Sequence, residues 1–217
     1  MVSGISGIFV TAFAKQACSI IMTRKEQILE SAFNAFTSRG IRDVKMEDIA
    51  AGLKISKKTL YEFFKSKKDL LVQSVEYKFP QLLEKNSKII RLMPNPLTAL
   101  VFCAVENIKF WSNFKERFIE EAEKVPELSA YRDSLKTELD GHSNQLLGGC
   151  VSQGYLKEED SRKLVSVFMY NIRNFEEFKN AEEFPSQLCF SIVITILGGL
   201  CTPKGKKILD ELKENYS

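Results

Sequence analysis

Apolar residues spaced three and four apart, renewed between helix caps from Thr23 almost to the last residue, constrain this chain more than any other feature. They call for helices, and no stretch alternates as a strand does. Thr23-Arg24-Lys25-Glu26 has the form of a capping box, in which the threonine oxygen takes the N–H three residues on and the glutamate reaches back. Behind it Ile28, Leu29, Ala32, Ala35 and Phe36 share a face, and Gly40 supplies a left-handed residue to end the helix near 39. Met46, Ile49, Ala50 and Leu53 fall at i, i+3, i+4 and i+7 and predict a short helix that stops at Lys54-Ile55. Ser56 then caps a third helix that turns Leu60 and Phe64 inward. Ser66-Lys67-Lys68-Asp69 reads as a second capping box, opening a longer helix to about Arg91 with a kink expected at Pro80.

Beyond it, Asn95-Pro96 opens a helix through about Phe114, and 115–124 forms a short one. Pro126 opens another to about Gln153, weakened by Gly141, Gly148 and Gly149. Asp160–Phe178 and Pro185–Cys201 read as two strongly apolar helices, and Lys206–Asn215 as a polar tail. The fold class is all-α.

With 44% hydrophobic and 27% charged residues, 217 residues suffice for a buried core. The formal charge is only +3, but residues 22–71 hold 11 Lys+Arg against 7 Asp+Glu, while 72–217 hold 19 against 21. A local basic excess suits a nucleic-acid module joined to a neutral body. Cys18, Cys103, Cys150, Cys189 and Cys201 are odd in number and never spaced as CxxC, which fits a reducing cytoplasm rather than a disulfide scaffold or a thiolate zinc site. His142 is the single histidine, so an imidazole-based enzyme would have to use it with Glu138 or Asp140, on sequence proximity alone. The chain is expected not to be an enzyme, and no metal or cofactor is called for. Residues 1–21 lack the basic residue that precedes a signal peptide's apolar core and read as an N-terminal extension, with Met22 the natural start. The twenty uncharged residues from Phe184 to Pro203 reach the length of a membrane span, but Pro185, Gln187 and Gly198-Gly199 favour a core or interface helix.

Two short helices joined by a tight turn, the second displaying lysines, form a helix-turn-helix. Leu53, Ile55, Leu60 and Phe64 set its angle, leaving Ser56, Lys57, Lys58, Thr59, Tyr61 and Glu62 outward to face a major groove. Between Lys54 and Lys68 stand six lysines and one acid, Glu62. Free N–H groups at Ser66 offer a further phosphate contact. Tyr61 also fits a core position.

The run from Ile49 to Leu70, IAAGLKISKKTLYEFFKSKKDL, preceded by Ile28-Leu29 through Phe36 to Gly40, resembles the DNA-binding signature of the tetracycline-repressor (TetR) family. The likeness covers about 23–71. It implies an N-terminal three-helix helix-turn-helix domain (22–71) followed by a helical ligand-binding and dimerisation domain (72–217). By that resemblance Lys57, Lys58 and Thr59 open the recognition helix, Tyr61 touches backbone or a thymine methyl, and Lys67 binds phosphate. Three positions depart from the pattern. Lys45 stands where Ser or Thr caps the second helix, giving up about 1 kcal/mol but placing a cation near phosphate. Lys54 occupies the turn where glycine is usual, at a cost of about 1 kcal/mol if left-handed. Phe63 replaces Tyr or His and removes a polar contact to phosphate. Lys54 and Phe63 motivate an alternative, a ligand sensor whose DNA-binding domain has degenerated.

The resemblance further implies a homodimer built on helices 160–178 and 185–201, a roughly palindromic double-stranded operator, and a small lipophilic effector held among apolar side chains. Phe102, Phe110, Trp111, Phe114, Tyr131, His142 and Phe168 are the candidate pocket residues, although a surface or capping role suits His142 better than ligand contact.

Overall fold

The computed structural model describes residues 22–157 and 186–216, and among these the chain is helical with no strand. Helix α1 (Arg24–Arg39) starts on the expected capping box: Thr23 Oγ1 accepts the Glu26 N–H at 3.3 Å, and Glu26 accepts the Thr23 N–H at 2.7 Å. It ends at Gly40, whose φ of +91° only glycine adopts without strain. Helices α2 (Met46–Gly52) and α3 (Lys57–Phe63) follow, joined by a turn in which Lys54 has φ +54°. That left-handed lysine bears out the strain expected at the missing glycine. Lys54→Gly should therefore raise stability by about 0.5 kcal/mol, the relieved strain exceeding the entropy glycine adds to the unfolded chain. A lower unfolding midpoint in urea would contradict this.

Helix α4 (Lys67–Leu92) runs through Pro80 without interruption. Only half of its expected capping box forms. Ser66 Oγ accepts the Asp69 N–H at 3.1 Å, but Asp69 Oδ2 accepts the N–H of Lys65 at 2.8 Å. Ser66 is fully extended, and the short aspartate meets the preceding amide instead. Helices α5 (Pro96–Ser112), α6 (Glu116–Ala122) and α7 (Pro126–Ser152) lie close to the expected positions, and Asn95 Oδ1 caps α5 by accepting the Thr98 N–H at 2.8 Å. The predicted helix 160–178 lies outside the described residues; its companion is α8 (Ser186–Leu200). The expected polar tail is instead an amphipathic helix, α9 (Pro203–Tyr216), with Leu209 buried and Ile208 and Leu212 packed on the core. An isolated antiparallel bridge, Leu156 to Cys201, ties the end of α7 to that of α8.

Two apolar cores result. One joins α1–α3 to the adjoining halves of α4 and α7 and to α5–α6, through Phe36, Leu60, Phe64, Leu71, Phe114 and Leu135. The other joins the far halves of α4, α5 and α7 to α8 and α9, through Ile89, Val101, Leu147, Val193 and Leu209. The division at 71/72 falls inside α4, which contributes to both. Among the described residues no helix is long and apolar enough to cross a membrane.

Cys103, Cys150, Cys189 and Cys201 are buried free thiols. Burial pushes Cys103 and Cys150 up to about 12 and Cys201 to about 11. They stay protonated at neutral pH and should resist alkylation in the native protein. Iodoacetamide at pH 8 followed by peptide mass mapping checks this, with rapid labelling of any of the four the contrary result. Because the unfolded thiols ionise near 8.5 and the folded ones do not, stability falls as pH rises above that value.

Candidate nucleic-acid interface and ligand cavity

Leu60 and Phe64 are completely buried, and this fixes which side of α3 faces outward. Lys57, Lys58, Tyr61 and Phe63 are exposed, Tyr61 at 45% and Phe63 at 38%, so Tyr61 is no core residue. Lys57, Lys58 and Tyr61 together give α3 an outward side of cations and one exposed ring, of the kind that contacts base edges and sugar–phosphate, while Phe63, two residues on, lies on a different side of the helix. Ser56 caps α3 by accepting the Thr59 N–H at 2.9 Å, and the two hydroxyls lie 2.8 Å apart. Lys57 Nζ sits 5.9 Å from the Tyr61 ring centroid and pairs with Glu47 of α2. The hydrogen bond to Glu47 raises the Lys57 ammonium above its ordinary value, and the same bond lowers Glu47.

Lys45 is exposed ahead of α2 and, having no acceptor, cannot cap it. Asp48 makes the reverse contact, accepting the Lys45 N–H at 3.0 Å. Lys67 reaches back from the start of α4 to donate to the Arg42 carbonyl at 3.2 Å. Lys68 pairs with Glu127 of α7 at 2.7 Å.

A polar contact invisible in the sequence binds this module to the body. Glu121 on α6, only 9% exposed, accepts the N–H groups of Ile41 and Arg42 and lies 3.3 Å from Arg117, which also pairs with Asp43. Burial pushes the Glu121 carboxyl up. The Arg42 amide, the Arg117 guanidinium and the Ile41 amide outweigh it, leaving a net depression. Its stabilisation is therefore complete above the ordinary carboxylate range and is lost as acid protonates it. The Arg117 stem lies 3.1 Å from where a Cβ on Gly40 would stand.

The other face of α6 contributes Phe118, Ile119 and Ala122 to a cavity of about 100 Å³ between α4, α5 and α7. Trp111, Phe114 and Tyr131 line it, as does Phe79. Phe110 stands behind them, 5.2 Å from both Phe79 and Phe114. The remaining pocket candidates do not join them. Phe102 packs on the second core, and Phe168 lies outside the described residues. His142 lines a separate cavity of about 30 Å³ with Asn86, Asn107 and Ser143. Asn86 Oδ1 and His142 Nδ1 are buried there without a protein partner, in space for about one water. Among the described residues no cluster of His, Cys, Asp or Glu suits a metal ion.

Residues 28–73 match the family model of bacterial regulatory proteins, tetR family. A comparison with curated proteins finds no match. Solved structures share the fold over most of the chain. A TetR-family transcriptional regulator from Marinobacter aquaeolei VT8 has a TM-score of 0.69 and 22% identity, covering 90% of this chain and 99% of its own. The ketosteroid transcriptional regulator KstR2 of Mycobacterium tuberculosis has a TM-score of 0.64 and 21% identity over 83% and 96%. A transcriptional regulator from Saccharomonospora viridis in complex with choline has a TM-score of 0.70 and 16% identity over 82% and 97%. Over residues 28–73 the chain thus matches the N-terminal model of the TetR family, and over most of its length it shares the fold of TetR-family transcriptional regulators.

Proposed function

We propose that this protein is a cytoplasmic, dimeric, sequence-specific repressor released from its operator by a small lipophilic effector. The observation that carries the reading is α3: a short helix seated by buried Leu60 and Phe64, with Lys57, Lys58 and Tyr61 outward, inside the segment that matches the family. Lys45, Ser56, Thr59, Phe63 and Lys67 complete the DNA-facing set. The outer face of α8, with Leu188 45% exposed beside exposed Ser191 and Thr195, supports pairing with a second copy. Two recognition helices would then meet successive major grooves of a roughly palindromic site. The cavity lined by Trp111, Phe114 and Tyr131 supports an effector site, and the choline complex of the Saccharomonospora regulator is consistent with ligand binding on this fold.

Anisotropy of labelled DNA from upstream of the gene, compared with scrambled DNA at two salt concentrations, tests the reading. Tight binding that prefers the cognate fragment and weakens with salt is expected. Equal, weak binding to cognate and scrambled fragments, and to fragments recovered by genome-wide pull-down, would favour a sensor whose DNA-binding domain has degenerated.

A further inference from the structure

Residues 22–71 hold 7 acids, and all but one have a partner that the fold supplies. Glu26 and Asp48 accept the N–H groups of Thr23 and Lys45, and Asp69 accepts that of Lys65. Glu30 pairs with Lys78, Asp43 with Arg117 and Glu47 with Lys57. Glu62 alone has no hydrogen bond or ion pair among the described residues. It is exposed, and it stands two residues from buried Leu60, about 200° around the axis of α3, so it lies on the side away from the core. Exposed Lys58 stands two residues to the other side of Leu60, one turn before Glu62, and the two do not pair. The outward side of α3 therefore carries one uncompensated carboxylate among its cations.

A carboxylate brought to DNA is repelled by every phosphate it nears, so Glu62 costs affinity wherever it finds no donor. The donors on base edges in the major groove are cytosine N4 and adenine N6. Guanine and thymine offer acceptors, and adenine sets its N7 acceptor beside N6, where the second carboxylate oxygen would meet a lone pair. Cytosine is the base whose major-groove edge donates with no acceptor of its own beside the donor. We propose that Glu62 is a specificity-determining residue that accepts a hydrogen bond from the N4 amine of one cytosine in each operator half-site. The proposal rests on reading α3 as the recognition helix and names a base that this helix selects. The same charge rejects guanine and thymine at that position, so the acid gives up general affinity for discrimination.

The full-length protein and its Glu62→Ala and Glu62→Gln variants are each used to select duplexes from a random-sequence pool by successive rounds of binding. The parent should enrich a motif with a cytosine fixed at one position of each half-site. Glu62→Ala should keep the rest of the motif and lose the preference at that position. Glu62→Gln should move it to adenine, whose N6 and N7 a glutamine amide matches. In anisotropy on the selected duplex, replacing that C·G pair by T·A should cost the parent at least about fivefold in affinity, and Glu62→Ala less than about twofold. Glu62→Ala should also bind scrambled DNA about two- to threefold more tightly, because a charge that repels phosphate is gone. Both variants change an exposed side chain and should keep the far-UV circular dichroism spectrum. An unchanged motif in both variants, or a preference altered at a base other than cytosine, would overturn the proposal and leave α3 a recognition helix. Uniformly tighter binding by Glu62→Ala with no altered preference would do the same. No motif enriched by the parent would overturn the reading of α3 itself, and the proposal with it.

Discussion

Lys57→Ala combined with Tyr61→Ala should cost at least about a hundredfold in operator affinity at fixed salt, from the loss of about 3 kcal/mol of base and phosphate contacts. Both side chains are exposed and neither supports the core, so the unfolding midpoint should stay within about 0.5 kcal/mol of the parent. The slope of log affinity against log salt should fall by about one, for the one phosphate charge removed. Unchanged operator affinity in the double variant would sink the assignment of α3 as the recognition helix. The ion pair to Glu47 sets a companion result. In the free protein the Lys57 ammonium is held by that carboxylate, so DNA must compete for it. Glu47→Gln should therefore tighten binding to cognate and scrambled DNA alike, by a few-fold, since a phosphate contact carries no sequence information.

Gly205→Ala should destabilise the protein by about 2–3 kcal/mol although it places a better helix former inside α9. A Cβ at that position would stand 2.2 Å from the Tyr155 carbonyl oxygen and 3.0 Å from the Cys201 sulfur. The first of these is backbone and cannot rotate aside, so α9 must lift from the segment that joins α7 to α8. Gly141→Ala is the control. Nothing lies within 4 Å of its would-be Cβ, and in the middle of α7 the same substitution should stabilise by about 1 kcal/mol. Opposite signs for one substitution at two helical glycines would establish that close approach, and not propensity, governs position 205. Chemical denaturation of both variants is the measurement, and a Gly205→Ala midpoint at or above the parent's would refute it.

What could be read from the chain was local. Thr23, Ser56 and Asn95 cap helices because a side-chain oxygen needs only the amide three residues on, and all three contacts form. The strain at Lys54 was legible for the same reason. Pocket membership was not, because it depends on which side of a long helix meets which core. Phe102 and Trp111 are nine residues apart, about half a turn out of phase, and so enter different cores. Tyr131 and His142 are nearly in phase, but eleven residues at about 1.5 Å each separate them along the axis by more than one cavity spans. The buried side of α9 was written in Ile208, Leu209 and Leu212, a helical spacing masked by the surrounding lysines and acids. Glu121 had no signal at all, since its amide partners lie 79 and 80 residues away.

Helix α6 is two turns long, grips the Ile41–Arg42 amides with one face and walls the aromatic cavity with the other. With so little between the two, a molecule taken into the proposed effector cavity would bear directly on the helix that holds the Ile41–Arg42 corner. Under the proposed function, linkage acts in both directions: whatever factor a ligand removes from operator affinity, the operator removes from ligand affinity. Ligand titrations followed by Trp111 fluorescence should accordingly weaken by that factor when operator DNA is added, and protein free in solution should capture the ligand before protein already seated on its site.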